Sequence, residues 1–250
     1  MKNSFSSLLL STLSAAVLLW ASAAPAEDAS KAEIEGIVKE VIRDNPELIA
    51  QTMENYRKKK EEETAAKAAQ QITELQAKLK KDTSLPSIGN PKGDVTLVEF
   101  FDYHCGYCKR FLPVISQLVE DDHKIRLVFM EFPILSEDSG VAAKAALVVN
   151  SIDKSKYFAF HTALMKMNGE FTLDNLTEKA KSVGIDEDAF KKGMANPAFE
   201  KELSANKDLA YTLNIHGTPA IVVGNQLVPG VIPIADLKAK IAAARAANKL

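Results

Sequence analysis

The only two cysteines of the chain stand in Cys105-Gly106-Tyr107-Cys108, just after the apolar run Val95-Thr96-Leu97-Val98-Glu99-Phe100-Phe101. A buried strand that delivers a Cys-x-x-Cys to the start of a helix restricts the architecture to strand-helix units around a redox-active dithiol. A disulfide between such close partners closes almost no loop and stabilises a fold little, so the pair reads as chemistry rather than as a staple.

The elements around the motif extend this reading. Val95 to Phe101 is expected as a buried strand, Cys105 to about Asp121 as a helix, and Ile125 to Met130 as a second buried strand. Further on, Pro219-Ala220-Ile221-Val222-Val223 and Gln226-Leu227-Val228 flank the turn Gly224-Asn225 as a hairpin, and Ile234 to Leu250 closes the chain as a helix. Strand, helix, strand, then hairpin and helix, gives a mixed sheet covered on both faces, in the thioredoxin order of elements. About ninety residues separate Met130 from Pro219, where a parallel crossover needs roughly a dozen. They read as helices over 138–150, 155–167, 173–183, 187–193 and 196–213. The expected fold is therefore α/β, thioredoxin-like over 84–250, with a helical insertion at about 136–214.

Two segments precede that domain. Residues 1–26 carry Lys2, an apolar stretch from Leu8 to Trp20 and the small-residue sites Ala21-Ser22-Ala23 and Ala24-Pro25-Ala26. This is the pattern of a secretory signal peptide, with an apolar core shorter than the roughly 20 residues that span a bilayer. The mature chain is thus expected in an oxidising compartment, the periplasm of a bacterium. The full chain has a net charge of −2, and loss of Lys2 with the signal leaves −3, which gives no footing for nucleic acid.

Residues 27–83 read as helix. Ile34, Ile37, Val38, Val41 and Ile42 form one stripe, and Asn45-Pro46-Glu47 breaks and restarts the helix with a cap, a first-position proline and a first-turn acid. Leu48, Ile49, Met53 and Tyr56 give the second helix its own apolar face. Arg57-Lys58-Lys59-Lys60-Glu61-Glu62-Glu63 puts Lys before Glu, the less favourable order, and marks a place for the helix to bend or melt. Ala65, Ala68, Ile72, Leu75 and Leu79 then follow at heptad spacing, which suits either a coiled coil or a solvated linker. Apolar faces without a core of their own point to self-association as a dimer or trimer. Ser84 to Asp94 is expected as a turn-rich linker.

At the motif, Cys105 in the first helical turn lies near unpaired backbone N–H groups and the positive end of the helix dipole, which makes it the nucleophile. Cys108, one turn in and more buried, resolves the mixed disulfide. No metal is expected, because His104, His123, His161 and His216 form no second ligand pair at metal spacing, and the dithiol carries its own electrons without a cofactor.

Four motifs carry a family resemblance: Glu99-Phe100-Phe101-Asp102-Tyr103-His104-Cys105-Gly106-Tyr107-Cys108, Glu131-Phe132-Pro133-Ile134-Leu135, Tyr157-Phe158-Ala159-Phe160-His161 and Gly217-Thr218-Pro219-Ala220. Together, from about Gly89 to Leu250, they resemble the DsbA family of thioredoxin-fold oxidoreductases. The helical front is similar to the oligomerisation segment of the ScsC-like and Com1-like branch. The resemblance implies that Thr218-Pro219 is a cis-proline loop whose backbone pairs with an extended substrate segment beside Gly106 and Tyr107. It also implies that Glu99 is a buried acid that ferries protons to and from Cys108; an edge or solvated glutamate is the plainer reading. His104 and His216 are expected as polar lining.

Gly106-Tyr107 and Thr218 depart from the oxidase pattern and resemble the disulfide isomerase DsbC, which leans the expectation toward isomerisation of unfolded or misoxidised secreted proteins. A DsbD-like or DsbB-like membrane partner would reset the dithiol. The alternatives are mainly oxidation, Cu(I) binding by thiolates shared across an oligomer, and a scaffold whose function is the helical front.

Overall fold

Central strands buried on both faces organise the structure. The computed structural model describes residues 30–247; the expected signal peptide, with both A-x-A sites, lies outside the described residues. The chain divides into two compact units, one ending at Tyr56 and the other starting at Arg57.

In the first unit, α1 runs from Lys31 to Asp44 and opens on a capping box. Ser30 Oγ accepts from the Glu33 N–H at 3.3 Å, and Glu33 Oε2 accepts from the Ser30 N–H at 2.8 Å. Asn45 ends it, its side-chain amide donating to the Val41 carbonyl at 2.9 Å, and Pro46 starts α2, Pro46–Leu79. No residue of α1 is buried, and Ile34, Ile37, Val38, Val41, Ile42, Leu48, Ile49, Met53 and Tyr56 are all exposed.

Helix α2 stays helical through Arg57 to Glu63, where a bend or melting was expected. The ion pairs Arg57–Glu61 at 3.8 Å and Lys60–Glu63 at 3.0 Å join neighbouring turns there. Of its heptad-spaced residues Ala65 is exposed and Ala68 half-buried, whereas the last three are neither a coiled-coil seam nor a solvated face. Ile72, Leu75 and Leu79 are buried against Val98, Phe100, Val128 and Val222 of the sheet, so the spacing serves the core of the second unit. The guanidinium of buried Arg126 fixes that end by donating to the Leu79 carbonyl at 2.6 Å and the Asp82 carbonyl at 2.8 Å, a cation set where a helix C-terminus favours one.

The sheet has the order β1-β3-β2-β4-β5, from β1 (Ser87–Gly89), β2 (Val95–Phe101), β3 (Ile125–Glu131), β4 (Ala220–Val223) and β5 (Gln226–Pro229). β2 and β3 pair in parallel across α3 (Gly106–Asp121), and β4 lies antiparallel to β2 with Glu99 opposite Ile221. β1 falls within the segment expected as linker; it pairs antiparallel with β3 as an edge strand too short to show alternation. The β4–β5 turn has Gly224 at φ 58°, the left-handed backbone its first central position requires.

Between β3 and β4 lie α4 (Glu137–Ile152), α5 (Lys154–Met165), α6 (Leu173–Ser182), α7 (Glu187–Met194) and α8 (Ala198–Thr212), and α9 (Ile234–Ala247) follows the hairpin. Alternation along β2 sends Leu97 and Phe101 into the core under α3, α4, α5 and α9, and Val98 and Phe100 into the one that α2 and Leu213 cover. Glu99 shares the face of Leu97 and Phe101, which is how an ionisable group comes to lie beneath the dithiol.

Candidate active site

Strand β2 ends in the turn Asp102-Tyr103-His104, and Cys105 is the N-cap of α3 rather than a residue of its first turn. Its Sγ accepts from the Cys108 N–H at 3.3 Å, as a capping side chain does. On the other side, the Cys105 thiol donates to the Thr218 carbonyl at 3.3 Å, and the Thr218-Pro219 peptide is cis. Both sulfurs are free thiols, Cys105 5% exposed and Cys108 fully buried.

These surroundings split the two cysteines. The hydrogen bond from Cys108 leads in pulling the Cys105 thiol down to about 6, helped by Thr218 and the backbone N–H groups of Cys108 and Tyr107 and opposed by burial. Thr218 Oγ1 is buried and has no hydrogen-bond partner elsewhere among the described residues. Burial pushes the Cys108 thiol far up, reinforced by its bond to Cys105 and by the Glu99 carboxylate. Near neutral pH one sulfur is a thiolate and the other a thiol. Attack on a disulfide followed by resolution requires this division.

Glu99 is 2% exposed, so the edge or solvated reading does not hold. Burial first, and the Cys105 charge second, raise its carboxyl to about 8. It is therefore a neutral acid at pH 7, electrostatically coupled to both cysteines, and suited to hold or pass a proton. Gly106 and Tyr107 lie exposed at the start of α3.

The histidines separate. His104 Nε2 pairs with Asp138 Oδ2 at 2.9 Å, tying the nucleophile's neighbour to α4. His216 bonds Asn214 Oδ1 at 3.0 Å and stacks on Tyr211, partners outside the dithiol. Among the described residues no group of three or more His, Cys, Asp or Glu is placed to hold a metal ion, and no helix is long and apolar enough to cross a membrane.

Two buried groups beside the site carried no assigned role in the sequence. Asp102 accepts at Oδ1 from the His104 N–H at 2.7 Å and the Ser139 hydroxyl at 2.7 Å, and at Oδ2 from the N–H groups of Ile134 and Leu135 at 2.8 and 3.0 Å. One carboxylate thus binds the nucleophile loop to the β3–α4 loop. Glu131 Oε1 accepts from the hydroxyls of Tyr103 at 3.1 Å and Tyr157 at 2.9 Å, and burial raises its carboxyl well above the usual range. His161, lowered to about 3 by burial, is neutral and bonds Tyr103 through Nδ1 at 3.2 Å. An acid before a helix start is the only local signal for Asp102; its other donors come from about thirty residues away.

Residues 96–242 match the DSBA-like thioredoxin domain family. A thioredoxin-like oxidoreductase from Silicibacter pomeroyi is 40% identical with a TM-score of 0.62, over 67% of this chain and 96% of that one. A linker-deletion mutant of Proteus mirabilis ScsC is 26% identical with a TM-score of 0.66, over 90% of this chain and all of the other. A probable disulfide bond formation protein D from Bacillus cereus is 27% identical over 152 residues, 56% of this chain and 70% of that protein. With its dithiol at the head of α3 and a thioredoxin-like fold around it, the chain belongs to the DSBA-like thioredoxin domain family and is a thiol–disulfide oxidoreductase.

Proposed function

We propose that this protein is a secreted, self-associating disulfide interchange protein that isomerises, and also forms, disulfides in periplasmic proteins. The observation that carries the oligomeric reading is the row of exposed apolar side chains from Ile34 to Tyr56, a surface costly to leave in water. The leader pattern in residues 1–26 supports export. Gly106, Tyr107 and Thr218 support isomerisation over pure oxidation, by their likeness to a disulfide isomerase. Self-association fits the same chemistry, because linked dithiols hold one misfolded chain while its bonds reshuffle.

In the proposed cycle the Cys105 thiolate attacks one sulfur of a substrate disulfide. The substrate S–S bond breaks, a Cys105–substrate disulfide forms, and the other substrate sulfur leaves as thiolate. A second substrate thiol then displaces Cys105, which isomerises the substrate with no net electron transfer. Alternatively, once Cys105 is in the mixed disulfide its charge no longer holds the Glu99 carboxyl up. Glu99 releases its proton to solvent, the carboxylate takes the proton of Cys108, and the Cys108 thiolate attacks Cys105 Sγ, so that the substrate leaves as thiolate and the protein is oxidised. Loss of the Cys105 proton also removes the donor to the Thr218 carbonyl, which is then free to accept an N–H from an extended substrate. A DsbD-like partner would restore the dithiol for isomerisation, and a DsbB-like partner the disulfide for oxidation.

Refolding of scrambled ribonuclease tests the reading. The intact mature chain restores activity and Cys105→Ala does not. A chain starting at Arg57 is monomeric by light scattering, loses isomerisation and keeps dithiol oxidation. Isomerase activity that survives in a monomeric truncated chain contradicts the proposal.

A further inference from the structure

Tyr107 stands two residues past the nucleophile with 63% of its surface exposed. The guanidinium carbon of Arg110 lies 4.5 Å from the centroid of its ring. Arg110 Nη1 is also 3.6 Å from the point a side chain on Gly106 would occupy. The guanidinium is thus laid over the dipeptide that separates the two sulfurs. Stacking on an aromatic face fixes a guanidinium while leaving its N–H edge open.

That edge is uncommitted. Among the described residues Arg110 makes no ion pair, whereas the adjoining Lys109 donates to the Met167 carbonyl at 2.7 Å and His104 is held by Asp138. The first turn of α3 contains no acidic residue, so nothing on the helix neutralises the charge locally. A thiolate nucleophile repels anionic disulfides as they approach, and a fixed cation at its side offsets that repulsion.

We propose that Arg110 is a specificity residue that selects substrates carrying a carboxylate close to the disulfide attacked by Cys105. The inference rests on the exchange chemistry proposed above and concerns which disulfides enter it. In the step itself, the Cys105 thiolate forms a mixed disulfide with one half of the substrate and the other half leaves as thiolate. Arg110 takes no proton or electron and acts on the encounter and on the charge of the substrate held there.

Rates of the reduced mature protein with three small disulfides test this at low ionic strength: glutathione disulfide, which is anionic, cystamine, which is cationic, and 2-hydroxyethyl disulfide, which is neutral. Relative to the neutral probe, Arg110→Ala is expected to lower the rate with glutathione disulfide about threefold, the effect of one charge at roughly 6 Å in water, and to raise that with cystamine. Arg110→Glu should carry both changes further in the same direction, and added salt should shrink them. A thiolate effect alone moves all three probes together. Unchanged ratios among the probes, or equal slowing of all three, would overturn the inference. Failure of the unmodified protein to react with any of them would instead overturn the exchange reading beneath it.

Discussion

The two ends of α2 carry similar apolar spacing and meet opposite surroundings. Leu48, Ile49, Met53 and Tyr56 are 42–61% exposed, whereas Ile72, Leu75 and Leu79 are 1–5% exposed. A periodic apolar stripe states that a helix face must be covered and leaves the identity of the cover open. At the C-terminal end the cover is the second face of the sheet, clamped by Arg126. At the N-terminal end the described residues provide none. The catalytic unit therefore begins within α2, well before the linker at Ser84.

The largest expected effect comes from cutting at different points. A chain lacking residues 27–81 loses Ile72, Leu75 and Leu79, uncovers Val98, Phe100, Val128 and Val222, and is expected to be insoluble or to lack a cooperative thermal transition. A chain lacking residues 27–56 should unfold cooperatively and keep a reactive dithiol. Equal behaviour of the two would break the comparison.

Single substitutions sharpen it. Leu79→Ala should destabilise the protein by roughly 2–5 kcal/mol in denaturant titration, as a truncated core leucine does. Leu48→Ala should stay within about 0.5 kcal/mol in the chain held monomeric by dilution, while weakening self-association in sedimentation.

A smaller, pH-dependent effect marks the buried end of β2. The Glu99 carboxyl is raised from 4.5 to about 8 in the fold, so the unfolded chain gives up that proton first. Its contribution to stability falls as pH climbs between those values. Glu99→Gln should flatten that part of the stability profile and slow reoxidation through Cys108. An unchanged profile would remove Glu99 from its assigned place. Cys105 acts in the opposite sense: lowered from 9.0 to about 6, it contributes stability to the reduced protein that is complete above 9 and lost as pH falls through 6.

Much of this was legible in the residues. β2 spans Val95–Phe101 as the apolar run indicated, and the insertion helices fall within a few residues of their expected bounds, because continuous apolar runs and 3.6-residue periodicity are local signals. The burial of Glu99 was implied by the family resemblance, while the residues alone left an edge or solvated position open. Short or nonlocal features were not legible. β1 has three residues and exists only because β3 offers an edge. Asp102 and Glu131 acquire their partners from α4, α5 and the β3–α4 loop, which no spacing reveals. The cover over Ile72, Leu75 and Leu79 is likewise tertiary, and it replaces both readings that the heptad pattern left equal.

The central claim is that the head of α3 holds Cys105 as a thiolate and Cys108 as a thiol. Alkylation of the reduced protein by iodoacetamide, followed by peptide mass spectrometry across pH, tests it most directly. The structure predicts labelling confined to Cys105, with a rate that rises through a midpoint near 6 and then levels. A midpoint near the ordinary thiol value of 9.0, or equal labelling of Cys108, would contradict it.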